Sequence, residues 1–245
     1  MIQRTVRLLI SAVLLAVAAI GGTVVTAGTA HADECYTWSR TLREGTSGAD
    51  VTQLQIRVAG HVAYGEVLAL DGSFGPATKA AVTRFQAAYG LAADGIAGPN
   101  TYAALYSLQD ADCTPAHFTY AEMNRCNSTW SGGSVSAATA KENSKRTMWK
   151  LEAMRRALGS VPITISSGFR SLSCNSAVGG SAGSRHTYGD AADMTGSPSF
   201  CTLAQRARYH GFNTILGPGY PDHGDHVHVD SKGSRTWAAP NCGVG

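Results

Sequence analysis

Apolar residues recur at helical spacing in two places in the first half of the chain. The first segment contains Val51, Leu54, Ile56 and Val58, and the second contains Ala81, Val82, Phe85 and Tyr89. Residues three and four positions apart lie on one face of a helix. The pattern therefore predicts short amphipathic helices that bury one side.

A repeated turn sequence accompanies these helices. The run Asp-Gly-Ser-Phe-Gly-Pro-Ala-Thr at 71–78 returns 23 positions later as Asp-Gly-Ile-Ala-Gly-Pro-Asn-Thr at 94–101. Glycine permits tight turns, and proline suits the first turn of a helix. Each copy therefore predicts a loop that leads into a helix, which gives three short helices between residues 42 and 108.

The second half of the chain changes to a mixed pattern. A helix is predicted near 138–158, with Met148, Leu151 and Leu158 on its buried side and Gly159 as its left-handed stop. The β-branched run 161–166 then predicts a short strand. Near the C-terminus, residues 226–230 alternate between polar residues and valine, which places His226 and His228 on one face of a strand.

The N-terminal 32 residues differ from the rest of the chain. Arg4 and Arg7 precede an apolar run of thirteen residues, 8–20, and Ala-His-Ala at 30–32 offers small residues at a signal-peptidase spacing. Thirteen residues are too few to cross a hydrocarbon core of about 30 Å. We interpret 1–32 as a cleaved signal peptide, so the mature protein is expected to be secreted, extracellular or in the cell wall.

Charge and cysteine content narrow the class of protein further. Without residues 1–32 the chain carries 18 basic and 17 acidic residues, and no basic run stands out, which argues against nucleic-acid binding. Six cysteines follow the predicted cleavage site, and an even number in an exported chain indicates disulfides. Their spacing leaves fifteen pairings open and does not fit a zinc ribbon.

Two imidazoles and a carboxylate form the strongest chemical signal. His186 and Asp193 lie in Ser-Arg-His-Thr-Tyr-Gly-Asp-Ala-Ala-Asp, 184–193, and His228 follows 35 residues after Asp193. Catalytic zinc commonly takes three such ligands and leaves a fourth position to water. A histidine pair on a strand is more often a surface feature, so spacing alone leaves both interpretations open.

The motif Ser-x-His-x-x-Gly-x-Ala-x-Asp, followed by Asp225-x-x-His228, resembles that of the zinc D-alanyl-D-alanine carboxypeptidases. The resemblance implies that His186, Asp193 and His228 hold one zinc ion per chain and that Asp225 is the general base. Many relatives carry glutamate at the position of Asp225. A regular strand would also point Asp225 away from both neighbouring histidines, so either the strand begins after Asp225 or its assigned role is wrong.

Three more residues are candidates for catalysis. Arg170, in Ser-Ser-Gly-Phe-Arg-Ser, lies where the family keeps an arginine for substrate. Its planar guanidinium group can bind a carboxylate through two parallel hydrogen bonds. His223 resembles a family histidine that donates to the oxyanion, and His226 is the alternative as proton shuttle. Asp190 and Asp230 are candidates to orient ligand imidazoles.

The helical segment resembles the peptidoglycan-binding-domain-one family. The matching residues are Gly48-Ala-Asp-Val51, Leu54-Gln55, the two Gly-Pro turns and Phe85-Gln86. The resemblance implies binding of a cell-wall polymer through this N-terminal domain. Every one of these residues also suits a purely structural role, so a helical spacer is the alternative.

Together these resemblances imply a multidomain protein. A signal peptide, 1–32, precedes an all-α three-helix peptidoglycan-binding domain, 33–113, and an α+β zinc DD-peptidase (Hedgehog-like) domain, 114–245, with a small antiparallel sheet. The implied disulfides are Cys35–Cys113, Cys126–Cys174 and Cys201–Cys242.

The expected function is hydrolysis of the C-terminal D-alanyl-D-alanine bond of peptidoglycan stem peptides, in cell-wall modification or lysis. The chain is expected to act as a monomer, without nucleic acid and without a membrane after signal cleavage. A peptidoglycan endopeptidase and a non-catalytic wall-binding protein are the alternatives.

Overall fold

A computed structural model describes residues 35–126 and 129–245. The predicted signal peptide lies outside these residues. Within the described ranges, no helix combines the length and the apolar character that a membrane span requires.

Three helices build the first part of the chain, which we call the helical lobe (residues 36–108). They are α1 (Ala49–Val58), α2 (Pro76–Ala88) and α3 (Pro99–Ser107). The apolar positions predicted to face inward do so, since Val51, Leu54, Val82 and Phe85 join one core cluster. Proline occupies the first turn of both α2 and α3, as the repeat predicts.

The repeated turns are held by two buried glutamines in equivalent positions. Gln55 Nε2 donates to Asp71 Oδ1 (2.9 Å) and to Thr78 Oγ1 (3.1 Å), and its Oε1 accepts from the backbone N–H of Gly72. Gln86 makes the same set of bonds to the second turn, with Asp94, Thr101 and Gly95. A buried amide must satisfy both its donors and its acceptor. The equal spacing within the two copies of the repeat therefore has a structural cause.

The rest of the chain forms what we call the sheet lobe (residues 116–245). Its helices are α4 (Tyr120–Met123), α5 (Ala137–Ala157), α6 (Leu172–Ala177) and α7 (Phe200–Ala207). Its strands are β1 (Thr164–Ser167), β2 (Ala191–Thr195), β3 (Thr214–Leu216), β4 (Val227–Asp230) and β5 (Thr236–Ala238). Two 3-10 helices cover Arg185–Tyr188 and Pro240–Cys242.

One sheet in the order β1-β2-β4-β3-β5 supports this lobe. Three of its pairs are antiparallel, as predicted, but β3 and β5 are parallel. Both β3 and β5 run opposite to β4, whose two edges are already paired with β2 and β3. The last strand therefore adds to the free edge of β3 in a parallel direction, and the sheet is mixed.

The long helix and the first strand lie close to their predicted positions. Helix α5 covers Ala137–Ala157, buries Met148 and Leu151, and is followed by Gly159 at φ 82°. This left-handed residue ends the helix as the sequence predicts. Strand β1 begins three residues later than expected, at Thr164, and Val161 is 37% exposed.

The three disulfides confirm the pairing that the family resemblance implies. They are Cys35–Cys113, Cys126–Cys174 and Cys201–Cys242, with Cα–Cα distances of 5.3, 6.3 and 4.8 Å. The first closes the helical lobe, and the third ties α7 to the last 3-10 helix. Each bridge restricts the unfolded chain and so stabilises the fold.

The two lobes meet at a close backbone contact beside α5. Gly60 is buried, and a Cβ placed on it would lie 2.6 Å from the Cβ of Ala153 and 2.9 Å from the Lys150 carbonyl oxygen. Its own carbonyl accepts a hydrogen bond from His210 Nδ1 at 2.7 Å. The backbones approach this closely because residue 60 has no side chain.

Further hydrogen bonds cross the same boundary. The backbone N–H of Gly65 donates to the Arg208 carbonyl at 2.8 Å, and Arg156 donates twice to the Ala88 carbonyl, at 3.0 and 2.9 Å. Both lobes thus contribute backbone groups to the contact, which fixes their relative orientation.

Candidate metal centre

His186, Asp193 and His228 come together in a buried triangle of ligand atoms. His186 Nε2 lies 3.1 Å from Asp193 Oδ1 and 3.1 Å from His228 Nδ1, and His228 Nδ1 lies 2.9 Å from Asp193 Oδ1. All three residues are buried. Among the described residues this group has the composition and spacing to hold a metal ion.

The sheet and a short helix bring these ligands together from distant positions. Asp193 on β2 and His228 on β4 are register partners on adjacent antiparallel strands. His186 comes from the 3-10 helix just before β2. On β4, Val227 and Val229 are fully buried in the core, so alternation turns His228 to the opposite face, as the sequence predicts.

Gly189 makes the short link between His186 and β2 possible. Its φ is +79°, and an added Cβ would overlap the carbonyl oxygen of Ala140 on α5. Glycine adopts the left-handed region at little cost and leaves room for this backbone contact. The motif glycine therefore sets the turn that carries the first ligand toward the second.

Each ligand imidazole uses its other nitrogen in a second hydrogen bond. His186 Nδ1 lies 2.6 Å from the Gly168 carbonyl oxygen, and His228 Nε2 lies 3.0 Å from Asp230 Oδ2. Such partners select the tautomer and orient the ring. Asp230 thus lies where the sequence predicted an orienting carboxylate.

The corresponding prediction for Asp190 is wrong. Its carboxylate pairs with Arg185, whose Nε donates to it at 2.9 Å, and Arg185 in turn lies over the Tyr188 ring. Asp190 precedes β2, where strand alternation turns it away from the ligand face. The Gly168 carbonyl had no signal in the sequence, because a backbone acceptor is present at every residue.

The electrostatics of the triangle favour positive charge. Burial disfavours the ionised carboxylate of Asp193, but the charge and hydrogen bonds of His186 and His228 outweigh burial and hold the pKa of Asp193 well below its usual value. Burial lowers the pKa of His186. For His228, burial opposes protonation, but hydrogen bonds to Asp193 and Asp230 raise its pKa to about 9.

The donor set fits zinc in both chemistry and size. Zinc accepts imidazole nitrogen and carboxylate oxygen at about 2.0–2.2 Å, which in a tetrahedral site places donors roughly 3.3 Å apart. The three measured separations, 2.9 to 3.1 Å, are close to this value. The residues present are therefore suited to hold the ion.

Arg170 contacts the outer oxygen of the ligand carboxylate. Its Nη2 donates to Asp193 Oδ2 at 2.6 Å, and its Nε donates to Ser167 Oγ at 2.8 Å. Arg170 thus lies beside the predicted ligands, and its role in substrate binding stays a prediction. Its observed contact orients Asp193, a role that the sequence did not predict.

Asp225 lies on the rim of the centre and outside the triangle. Its side chain is 91% exposed, and its Oδ1 accepts from His226 Nδ1 at 2.8 Å. Strand β4 begins at Val227, so Asp225 belongs to the preceding turn and the alternation rule does not apply to it. His226 Nε2 lies 3.8 Å from Asp193 Oδ1, and its ring therefore links Asp225 to the centre.

His223 lies among the rings that face the same centre. Its ring centroid is 4.7 Å from that of His226 and 6.0 Å from that of His228. His223 Nδ1 lies 2.7 Å from the Pro221 carbonyl oxygen, and burial lowers its pKa. With Nδ1–H donated to this carbonyl, Nε2 becomes a donor only in the protonated ring.

Comparisons with known proteins match both lobes. The family model "Peptidase M15" matches residues 116–230, and the model "Putative peptidoglycan binding domain" matches residues 47–105. The zinc D-Ala-D-Ala carboxypeptidase of Streptomyces albus G is 60% identical over 98% of this chain and 99% of its own length. A "Probable N-acetylmuramoyl-L-alanine amidase" of Bacillus licheniformis is 42% identical over 31% of this chain and 22% of its own length.

A solved structure of a peptidoglycan-binding protein from Clostridioides difficile shares 40% identity over 26% of this chain and 39% of its own, with a TM-score of 0.24. The match to the Streptomyces albus G protein has the greater weight, since it covers 98% of this chain. This chain belongs to the peptidase M15 family, in the group of the zinc D-Ala-D-Ala carboxypeptidases.

Proposed function

We propose that this protein hydrolyses the C-terminal D-alanyl-D-alanine bond of peptidoglycan stem peptides with the help of one zinc ion. The observation that carries the proposal is the buried triangle of His186 Nε2, Asp193 Oδ1 and His228 Nδ1, whose atoms lie within 3.1 Å of one another. The 60% identity to the Streptomyces albus G enzyme supports the choice of reaction.

His186, Asp193 and His228 would hold the ion, and Gly168 and Asp230 would hold the two imidazoles. When bound, zinc supplies a Lewis acid that activates water and polarises a carbonyl. The chain itself keeps both histidines in the ligand tautomer through the Gly168 carbonyl and the Asp230 carboxylate. A fixed ligand orientation would keep both coordinating nitrogens directed at the ion.

Asp225 would act as general base. The hydrogen bond from His226 lowers the pKa of Asp225, so its carboxylate is ionised at neutral pH and able to accept a proton from the attacking water. Aspartate is one methylene shorter than glutamate, and the contact with His226 Nδ1 would hold its carboxylate at the rim of the centre. His226 is therefore a positioning residue in this scheme.

Arg170 and His223 would contact the peptide. The two observed hydrogen bonds of Arg170 use two of its five N–H donors, which leaves donors for the free carboxylate of the stem peptide. His223 would donate from Nε2 to the developing oxyanion in its protonated form. This requirement makes its contribution dependent on pH, unlike that of a backbone donor.

The remaining expectations form part of the same proposal. Residues 1–32 would direct secretion and be removed, residues 33–113 would bind a wall polymer, and residues 114–245 would carry out hydrolysis. The mature protein would act as a monomer outside the cell or in the wall. The peptidoglycan-binding match supports a wall location.

The test is release of D-alanine from diacetyl-Lys-D-Ala-D-Ala by the mature chain, untreated, chelated, and with zinc restored. We expect release that chelation abolishes and zinc restores. Asp225→Asn should lower kcat by about 10²-fold or more. Asp222→Asn, at an exposed aspartate of the same turn, is the matched control and should leave kcat unchanged.

Release that persists after complete zinc removal would contradict the metal mechanism. Cleavage of crosslinked wall without any release of D-alanine from the peptide would instead identify an endopeptidase on the same centre.

A further inference from the structure

A basic cleft lies between the two lobes and shares none of its lining residues with the metal centre. It has a volume of about 510 Å³, and its lining includes Arg84, Arg156, Arg206, His61 and His210. Arg84 comes from α2, Arg156 from α5 and Arg206 from α7. Three helices of two lobes thus contribute an arginine each to the lining of one cavity.

These arginines have little compensating charge. Arg84 lies 3.6 Å from the exposed Glu66. Arg156 donates to a backbone carbonyl and to Ser160, and neither it nor Arg206 pairs with a carboxylate in the part of the chain that the structure describes. An excess of guanidinium groups in a concave site raises the local concentration of anions.

A buried imidazole in the same cleft has an unused nitrogen. His210 is 6% exposed, and its Nδ1 donates to the Gly60 carbonyl at 2.7 Å. Its Nε2 is buried and has no hydrogen-bond partner. Buried polar atoms are nearly always paired, so the unpaired Nε2 of a residue that lines this cleft is a candidate contact for a bound ligand.

The protonation state of His210 defines what that partner offers. Burial lowers the pKa of His210 to about 4, so the ring is neutral at physiological pH. Because Nδ1 carries the proton, Nε2 has a lone pair and accepts a hydrogen bond. The missing group is therefore an O–H or N–H donor.

We propose that this cleft is a second ligand site, which binds an acidic carbohydrate. Its acid groups would pair with Arg84, Arg156 and Arg206, and a hydroxyl or amide N–H would donate to His210 Nε2. Tyr209, 40% exposed, also lines the cleft, and the Arg206 guanidinium lies 6.0 Å from the centre of its ring. Muramyl peptides present carboxylates with sugar hydroxyls, and polyol phosphates present phosphates with hydroxyls.

The test measures binding to the mature protein by calorimetry with three probes. The first is the disaccharide dipeptide GlcNAc-MurNAc-L-Ala-D-Glu, which lacks the D-Ala-D-Ala bond. The second is a glycerol phosphate trimer, and the third is uncharged chitotriose. The test variant is Arg84→Gln/Arg206→Gln, and the matched control is Arg43→Gln/Arg146→Gln, which removes the same charge outside the cleft.

We expect one acidic probe to bind and the test variant to weaken it about tenfold, with the control unchanged. The probe that binds identifies the acid group as carboxylate or phosphate. In the wild-type protein, the same probe should shift the ¹⁵N resonance of His210 Nε2 upfield as that atom accepts a hydrogen bond.

Three results would overturn the proposal: no binding by either acidic probe, equal binding of chitotriose, or equal losses in test and control variants. D-alanine release by both variants, measured in parallel, should match the wild type. This separates failure at the cleft from failure of the proposed peptidase activity.

Discussion

The orienting role of Asp230 leads to a quantitative prediction about zinc affinity. Asp230 Oδ2 accepts from His228 Nε2 at 3.0 Å, which leaves Nδ1 as the ligand atom. Asp230→Asn keeps the shape and a carbonyl acceptor but removes the negative charge. Loss of such a partner weakens metal affinity by about 10- to 100-fold, and we expect the lower end, about tenfold, since one acceptor remains.

Asp190→Asn is the matched control for this change. Asp190 directly precedes β2, and its neighbour Ala191 is the register partner of Asp230. Its carboxylate binds Arg185 and neither ligand histidine. We expect its zinc affinity to stay within about twofold of wild type, because no ligand loses its orienting partner.

Zinc affinity of both variants is measured by competition with a chromophoric chelator, at pH 7.5. Thermal unfolding of the zinc-free proteins shows whether either variant is disturbed before zinc is added. A wild-type affinity in Asp230→Asn, or an equal loss in Asp190→Asn, would refute the argument that the His228–Asp230 contact selects the ligand tautomer.

Three further predictions concern stability, each measured by urea unfolding. Gly60→Ala should destabilise the protein by about 1–3 kcal/mol because the added Cβ overlaps α5. The control Gly75→Ala, whose added Cβ meets no atom within 4 Å, should change the free energy of unfolding by less than about 0.5 kcal/mol. Equal effects of the two substitutions would contradict the packing argument. Gln86→Glu should cost about 3 kcal/mol, since it sets a carboxylate against Asp94 Oδ1 and two further acceptors, and a wild-type midpoint would show that the network is dispensable. Burial lowers the pKa of His61 to about 3, so below about pH 6.5 the unfolded state binds a proton that the folded state excludes, and the free energy of unfolding falls as pH decreases. His61→Phe should reduce the slope of the free energy of unfolding against pH by about 1.4 kcal/mol per pH unit. An unchanged slope between pH 6 and 4 would contradict this assignment.

The sequence was most informative where one local rule decides the structure. Helical spacing placed Val82 and Phe85 in the core, and strand alternation separated Val227 and Val229 from His228. Gly159 ended α5 in the predicted left-handed conformation. In each case the outcome depends on residues within one helix or strand.

Contacts between distant elements were beyond these rules. The motif gave no sign that Asp190 pairs with Arg185, and no pattern indicates that Arg170 donates to Asp193. The parallel β5 depends on which strand edge is free after folding. The glutamine networks of the repeated turns also required the structure, because their partners lie up to 23 positions apart in the first turn and up to 15 in the second.

The close contact between the lobes determines how far the enzyme can reach. A binding module on a flexible linker allows its partner to sample many positions around the anchor point, with an effective concentration set by linker length. Here Gly60 packs against α5, and Arg156 and Gly65 bond across the boundary. A wall strand held by the helical lobe would therefore present to the metal centre only those stem peptides at one fixed distance from its point of attachment.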